Sequence, residues 1–426
     1  MLEKMVWMYS RATHRESNQN VQLKTKVLYL ASLIAFMRSF SQVIYVPSQV
    51  DILHDLETTI ALFGLTLSVF ALTFAVAQLF LGPVVDRYNS KRILLAGMLL
   101  FSIGSLGGVF VQNVEVFFLI RMLQALGIAA AVIVGLALIS DVIPGSERGG
   151  AMGTFEILNA AGAATGPIIG ALIAIWIGWR VDFLLLGLLG FALALFTYWQ
   201  LPDQAVRTEK VGLREMSTIL RNPPTLGATI IGFVQFYALF TVFTLLPLML
   251  TTELGLSTGS IGFLVSLLPI GAILGSFLGG RASDKTNIRN VLIPGSLLAA
   301  FAFSVLTVIS RTADQSTPVA LIAGAVITSG FAIGFCLPAQ LKIMVDYFPS
   351  LRGTASGVSI SFRFLGATLS PVVTGYLADT FSLTAGYGSA VILLAAGAVI
   401  SILTIQEPSS TPVEAGLDRG NPNEIT

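Results

Sequence analysis

An apolar run of helix length returns roughly every 35 residues along almost the whole chain. Nothing else in the sequence constrains folding so strongly. A backbone that enters the hydrocarbon core of a bilayer finds no water for its amide groups, so each run must close its hydrogen bonds within itself as a helix of about 20 residues. Windows of that length fall at residues 27–49, 60–82, 93–111, 116–140, 150–176, 183–201, 225–251, 260–280, 291–310, 318–341, 353–377 and 384–405. They predict an all-α membrane protein with twelve transmembrane helices. With 54% of its 426 residues hydrophobic and only 11% charged, the chain has too little polar surface to cover itself in water, which excludes a soluble multidomain enzyme.

The residue counts exclude further chemistries. The single cysteine, Cys336, lies in an apolar run, and the two histidines, His14 and His54, fall in a polar tail and an acidic loop, so neither a disulfide nor a metal site is expected. A net charge of +1 leaves no basic surplus for nucleic acid. No Gly-Lys dipeptide occurs, hence no Walker A loop, and no cofactor is implied.

Residues 1–26 form a polar tail without the charged start, apolar centre and cleavage site of a signal peptide, and read as a retained, mobile cytosolic segment. The longest interior polar stretch, residues 202–224, divides the chain into six-helix sets at 27–201 and 225–405, and residues 406–426 form a second tail. With the N-terminus inside, 19 of the 24 lysines and arginines fall on the inner side, two (Arg180 and Arg311) in outer loops and three within helices. That asymmetry places both termini in the cytosol, in an inner or plasma membrane.

The halves repeat. Gly153 to Pro167 in GTFEILNAAGAATGP and Gly357 to Pro371 in GVSISFRFLGATLSP share their Gly-to-Gly and Gly-to-Pro spacings, with Gly162 matching Gly366 and Asn159 matching Arg363. DVIPGSERG from Asp141 and DYFPSLRG from Asp346 precede them. GPVVDRYNSKR from Gly82 and GRASDKTNIR from Gly280 form a further pair, each with an acid four residues after glycine and a cation next, Asp86–Arg87 and Asp284–Lys285. Two homologous six-helix bundles predict a transporter with its binding site between them near the midplane.

These motifs resemble those of the major facilitator superfamily, over roughly residues 25–405. Gly82, Asp86, Arg87, Lys91 and Arg92 are similar to its motif A, with Asn89 where glycine is usual, a residue able to share glycine's left-handed conformation. RMLQALGIAAA, with Arg121, Gln124, Gly127 and Ala129, resembles motif B. GAATGPIIGA from Gly162 resembles motif C of the drug:proton antiporters. The resemblance implies a twelve-helix proton-coupled exporter.

Read physically, the motif A turn is a latch: Asp86 sits against the positive end of a neighbouring helix while Arg87 or Arg92 pairs with a carboxylate such as Asp141. On the fifth helix Glu156, Asn159, Gly166 and Gly170 share one stripe at 100° per residue. Small residues, with Gly162 and Pro167 beside them, let another helix approach and slide, and the eighth helix offers Gly271, Gly275 and Gly279 as the partner that the resemblance implies.

A charge at membrane depth is functional until shown otherwise. Glu156 is read as the only acid in the interior and as the candidate proton carrier, with Arg121 as a second coupling residue. Arg38 lies about 18 Å along its helix from Lys26, near the midplane, on one face with Gln42, Tyr45 and Gln49; Arg363 heads a second polar stripe. With Asn159, Gln235, Phe236, Tyr237 and Gln340 these form the candidate substrate site. Three arginines against one glutamate favour a neutral or anionic amphipathic substrate over a cationic drug.

The leading expectation is a monomeric secondary transporter that exchanges protons for a small organic compound by rocking of its halves. Uptake or facilitated exchange of an organic anion is the second reading, and a non-transporting sensor on a transporter scaffold the third.

Overall fold

A computed structural model describes residues 2–201, 218–348 and 352–405. The first half holds α1 (Leu2–Val43), a short α2 (Gln49–Asp55), α3 (Ile60–Arg87), α4 (Ser90–Gly108), α5 (Val114–Val142), α6 (Gly145–Trp176) and α7 (Arg180–Gln200). The second holds α8 (Pro223–Thr252), α9 (Thr258–Lys285), α10 (Arg289–Thr312), α11 (Val319–Tyr347), α12 (Arg352–Thr380) and α13 (Leu383–Thr404). Eleven segments among the described residues are long and apolar enough to cross a membrane. The twelfth span is α12, whose 29 residues extend about 43 Å by helical rise; Ser359, Ser361, Arg363, Thr368, Ser370 and Thr374 make it the more polar one.

Helix starts follow local chemistry. Asn89, Asn113, Asn222 and Ser382 cap α4, α5, α8 and α13, each accepting a backbone N–H three residues on. Asn89 corrects the expectation of a left-handed turn: its φ is −59°, and it stands in glycine's place as a side-chain cap.

The first helix also departs from its predicted window. It starts at Leu2, because no glycine or proline interrupts residues 2–43, so it takes in the segment read as a tail. It stops at Val43, because Pro47 has no N–H to give a helix and disfavours helical geometry in the residue before it; Val46–Ser48 form a 3-10 turn instead. Tyr45 and Gln49 therefore lie beyond α1 and off the face of Arg38.

Glycine contacts decide which helices pack closely. A side chain at Gly162, Gly166 or Gly170 would run into α1 at Phe36, Phe40, Val43 or Ile44. Gly271, Gly275 and Gly279 face α11 at Ile327, Phe331 and Phe335. This overturns the expected pairing of the two glycine stripes with each other: each seats a neighbour inside its own half. The halves do meet through α6 and α9, but there Gly262 approaches the carbonyl of Pro167 and the Ala171 methyl.

The α3–α4 turn and the segment joining α7 to α8 define the linker side; the α4–α5, α6–α7 and α12–α13 turns define the far side. On the far side α3 and α12 close together at Gly64 against Pro371 and Gly375 against Ala61, and the Asp379 carboxylate accepts the Ala61 N–H at 2.8 Å. Toward the linker side Gly150, Gly153 and Gly357 on α6 and α12 have open space around them. Among the described residues, the two halves are thus in direct contact through α3 and α12 at the far side.

Candidate functional site

The polar groups near the middle of the molecule assemble into two clusters, one from each half. In the first, Arg38 on α1 donates through Nη1 to Asn159 Oδ1 on α6 at 2.9 Å and to Ser39 Oγ at 3.2 Å, and Ser39 Oγ donates to the same Asn159 oxygen at 2.5 Å. Asn159 in turn donates Nδ2 to Glu156 at 3.3 Å. In the second, Arg363 on α12 donates through Nη2 to Gln340 Oε1 on α11 at 3.0 Å, and Gln340 donates to Gln235 Oε1 on α8 at 2.7 Å.

Aromatic rings join the clusters. The Arg38 guanidinium lies 4.8 Å from the ring centre of Phe74 on α3 and 4.8 Å from that of Phe364 on α12, so one ring comes from each half. Phe364 also touches Phe74 at 5.3 Å and Phe236 at 6.2 Å between ring centres, and Arg363 lies 5.8 Å from the Phe236 ring. Phe74, Phe364 and Ser39 were not singled out in the sequence. Phe364 and Ser39 adjoin the two arginines, which is a usable signal; nothing in its apolar run distinguishes Phe74.

Glu156 is exposed and reaches Arg38 through Asn159, with Arg363 the arginine of the other cluster. No ion pair within 4.0 Å among the described residues joins it to either. Buried donors are left over: Arg38 Nε, Arg363 Nε and Gln235 Nε2 have no hydrogen-bond partner.

Other sequence candidates lie elsewhere. Arg121 is wholly buried inside the first half, donating to the Ser41 carbonyl at 3.0 Å and Gln124 at 2.8 Å beneath the rings of Tyr45 and Phe70, and it does not meet Glu156. Tyr45 packs on Phe63, Phe117 and Phe183 and hydrogen-bonds Thr66, and Tyr237 bonds Ser389; both belong to helix packing within a half. Gln42 is buried with Nε2 unpartnered, and Gln49 is buried at the start of α2 with neither amide atom partnered.

Asp182, in the first turn of α7, is fully buried with both carboxylate oxygens unpartnered, so Glu156 is not the only interior acid. The predicted window began one residue too late to include it.

Of the latch, Gly82 and the side chains of Asp86 and Arg87 lie outside what is described. Asp141 is exposed, Lys91 sits 5.4 Å from the centre of the Tyr198 ring, and the Arg92 N–H is capped by Asn89. In the repeat, Lys342 donates to the Ser283 carbonyl at 2.6 Å and lies 3.9 Å from Asp284, with Lys285 in the last turn of α9. A depression of about 420 Å³ between α9 and α11, around Phe263 and Val319, has no charged residue in its lining.

Two six-helix bundles meeting around polar clusters near the middle of their helices form the architecture of a carrier of small molecules. The profile of the Major Facilitator Superfamily matches residues 31–259 and 228–423. The chain belongs to that superfamily and is an integral, multi-pass membrane transporter. It is 26% identical over 91% of its length to the probable L-galactonate transporter of Escherichia coli, 89% of which is covered. It is 27% identical over 62% of its length to a chloramphenicol resistance protein of Pseudomonas aeruginosa, 64% of which is covered. Among solved structures it superposes on a bacterial homologue of the human lysosomal transporter Spinster with a TM-score of 0.77 at 19% identity, covering 90% of this chain and 99% of that one.

Proposed function

We propose that the chain is a proton-coupled antiporter that moves a small amphipathic organic compound out of the cell by alternating access. The observation that carries this reading is the exposed Glu156 carboxylate, joined through Asn159 to Arg38 in the polar cluster of the first half. A carboxylate near two cations favours ionisation, and one cut off from them and from water favours protonation. Rocking the halves changes the surroundings of Glu156, which is the candidate carrier of the exchanged proton. The motif C stretch from Gly162 and the chloramphenicol-resistance relative support export. The positive-inside count supports an inner or plasma membrane location with both termini in the cytosol, the side of the linker. The assembly is read as a monomer within the bilayer, taking protons and a small-molecule substrate as its partners.

A second reading, uptake or facilitated exchange of an organic anion, is favoured by the two arginines and by the L-galactonate relative.

Proteoliposomes under an imposed proton gradient separate the two. Antiport requires gradient-driven movement of amphiphiles that Glu156→Gln abolishes. Movement that persists without a gradient and survives this substitution overturns antiport and leaves anion exchange.

A further inference from the structure

We infer that the transported molecule is an organic acid, and that Arg38 and Arg363 hold its carboxylate in competition with Glu156. This rests on the transporter reading above and names the substrate class of its central site.

The hydrogen bonds at the site run one way. Arg363 gives to Gln340, Gln340 gives to Gln235, and the chain ends on the Gln235 Nε2 donor, which has only the weakly accepting Cys336 sulfur beside it. Arg38 gives to Asn159 and Asn159 gives to Glu156, the one anionic acceptor in reach. Gln235 and Arg363 are 1% and 6% exposed, so water does not readily supply the missing acceptors. Arg38 Nε and Arg363 Nε are likewise buried and unpartnered. A buried donor without an acceptor is costly, and here the leftover groups are all donors while both charges are positive. The group that completes them is an anion with several acceptor lone pairs, and a carboxylate matches the planar guanidinium fork.

The arginines come from different halves, so a carboxylate bound by both bridges the halves, as a carried substrate must. Phe74, Phe364 and Phe236 flank the guanidiniums and offer an apolar surface to the rest of the molecule. Glu156 neutralises the arginine pair while the site is empty. An arriving carboxylate takes over that role and displaces Glu156 from the arginines. The acid and Glu156 thereby compete for the same two cations.

Purified full-length protein in detergent is titrated with benzoate, succinate and gluconate, and with benzamide and benzylamine as neutral and cationic isosteres, followed by calorimetry and by thermal shift. At least one acid is expected to bind and stabilise, while benzamide and benzylamine do not. Arg363→Gln and Arg38→Gln each weaken that acid roughly 10- to 100-fold, the size of a lost charge-assisted pair. Arg363→Lys, which keeps the charge, restores part of the affinity. Glu156→Gln tightens acid binding, because it removes the competing carboxylate, even as it abolishes gradient coupling.

Benzamide binding as well as benzoate, no acid stabilising at millimolar concentration, or Arg363→Gln and Arg38→Gln folding normally with unchanged acid affinity would each overturn the inference. If benzylamine or a neutral drug is instead carried in a gradient-dependent, Glu156-dependent way, the acid assignment fails and the antiport reading stands.

Discussion

Gln235 occupies in the second half the place that Arg38 occupies in the first. Gly162 of α6 meets α1 at the Phe36 carbonyl and the Phe40 amide, and Gly366 of α12 meets α8 at the Phe233 carbonyl and the Tyr237 amide. Arg38 and Gln235 each sit midway between those two contacts. The residues three before the glycines are likewise equivalent: Asn159, which accepts from Arg38, and Arg363, which reaches Gln235 only through Gln340. The repeat therefore keeps one guanidinium per half but moves it from the first helix to the fifth. Arg363→Gln combined with Gln235→Arg returns the second half to the arrangement of the first, with Gln340 still available as an acceptor. The double variant is expected to recover part of the acid affinity that Arg363→Gln alone removes, measured by calorimetry in a double-mutant cycle.

Glycines that seat helices are distinguishable from glycines with open space around them. Alanine at Gly162, Gly170 or Gly366 forces a methyl into a neighbouring backbone and is expected to lower stability by about 1–3 kcal/mol through overpacking. Gly153→Ala, with nothing around it, is expected to be neutral or slightly stabilising through higher helix propensity. Thermal unfolding in detergent compares the four variants, and equal effects would refute the seating role.

Asp379 caps the N-terminus of α3 from the opposite half. This contact requires the far side to be closed, so Asp379→Asn is expected to favour the state open to the far side. Loss of a cap of this kind is worth about 1 kcal/mol, a roughly fivefold change in population. Distances between nitroxide labels at Leu62 and Tyr376, both exposed, report it; Cys336 is fully buried and leaves these two sites to the label. An unchanged distance distribution would remove Asp379 from the conformational equilibrium.

Arg121 holds α5 to the Ser41 carbonyl and lies under two aromatic rings. A lysine there loses both the fork and the stacking, at about 1–3 kcal/mol. Arg121→Lys is expected to lower the unfolding temperature while proton-driven movement continues in the protein that stays folded. Coupling lost at unchanged stability would instead assign Arg121 to the proton path.

Much of this architecture was legible in the residues. Apolar runs of membrane length must become helices, because nothing else satisfies a backbone in hydrocarbon, and the spacing shared by Gly153–Pro167 and Gly357–Pro371 exposed the duplication without coordinates. Arg38, Asn159, Glu156, Gln235, Gln340 and Arg363 stood out because polar side chains at that depth are expensive. Partner choice was not legible. A glycine stripe says that some helix comes close, but which one follows from packing of the whole bundle, and Gly170 and Gly275 each turned to a helix of their own half. Tyr45 and Gln49 shared a face with Arg38 only while α1 was imagined as running on, and Pro47 ended it. Phe74 entered the site because α12 brought Phe364 to it from nearly 300 residues away. Local periodicity and solvation thus determined what each segment became. The meeting of the two bundles, a matter of long-range shape, decided which rings and charges face each other.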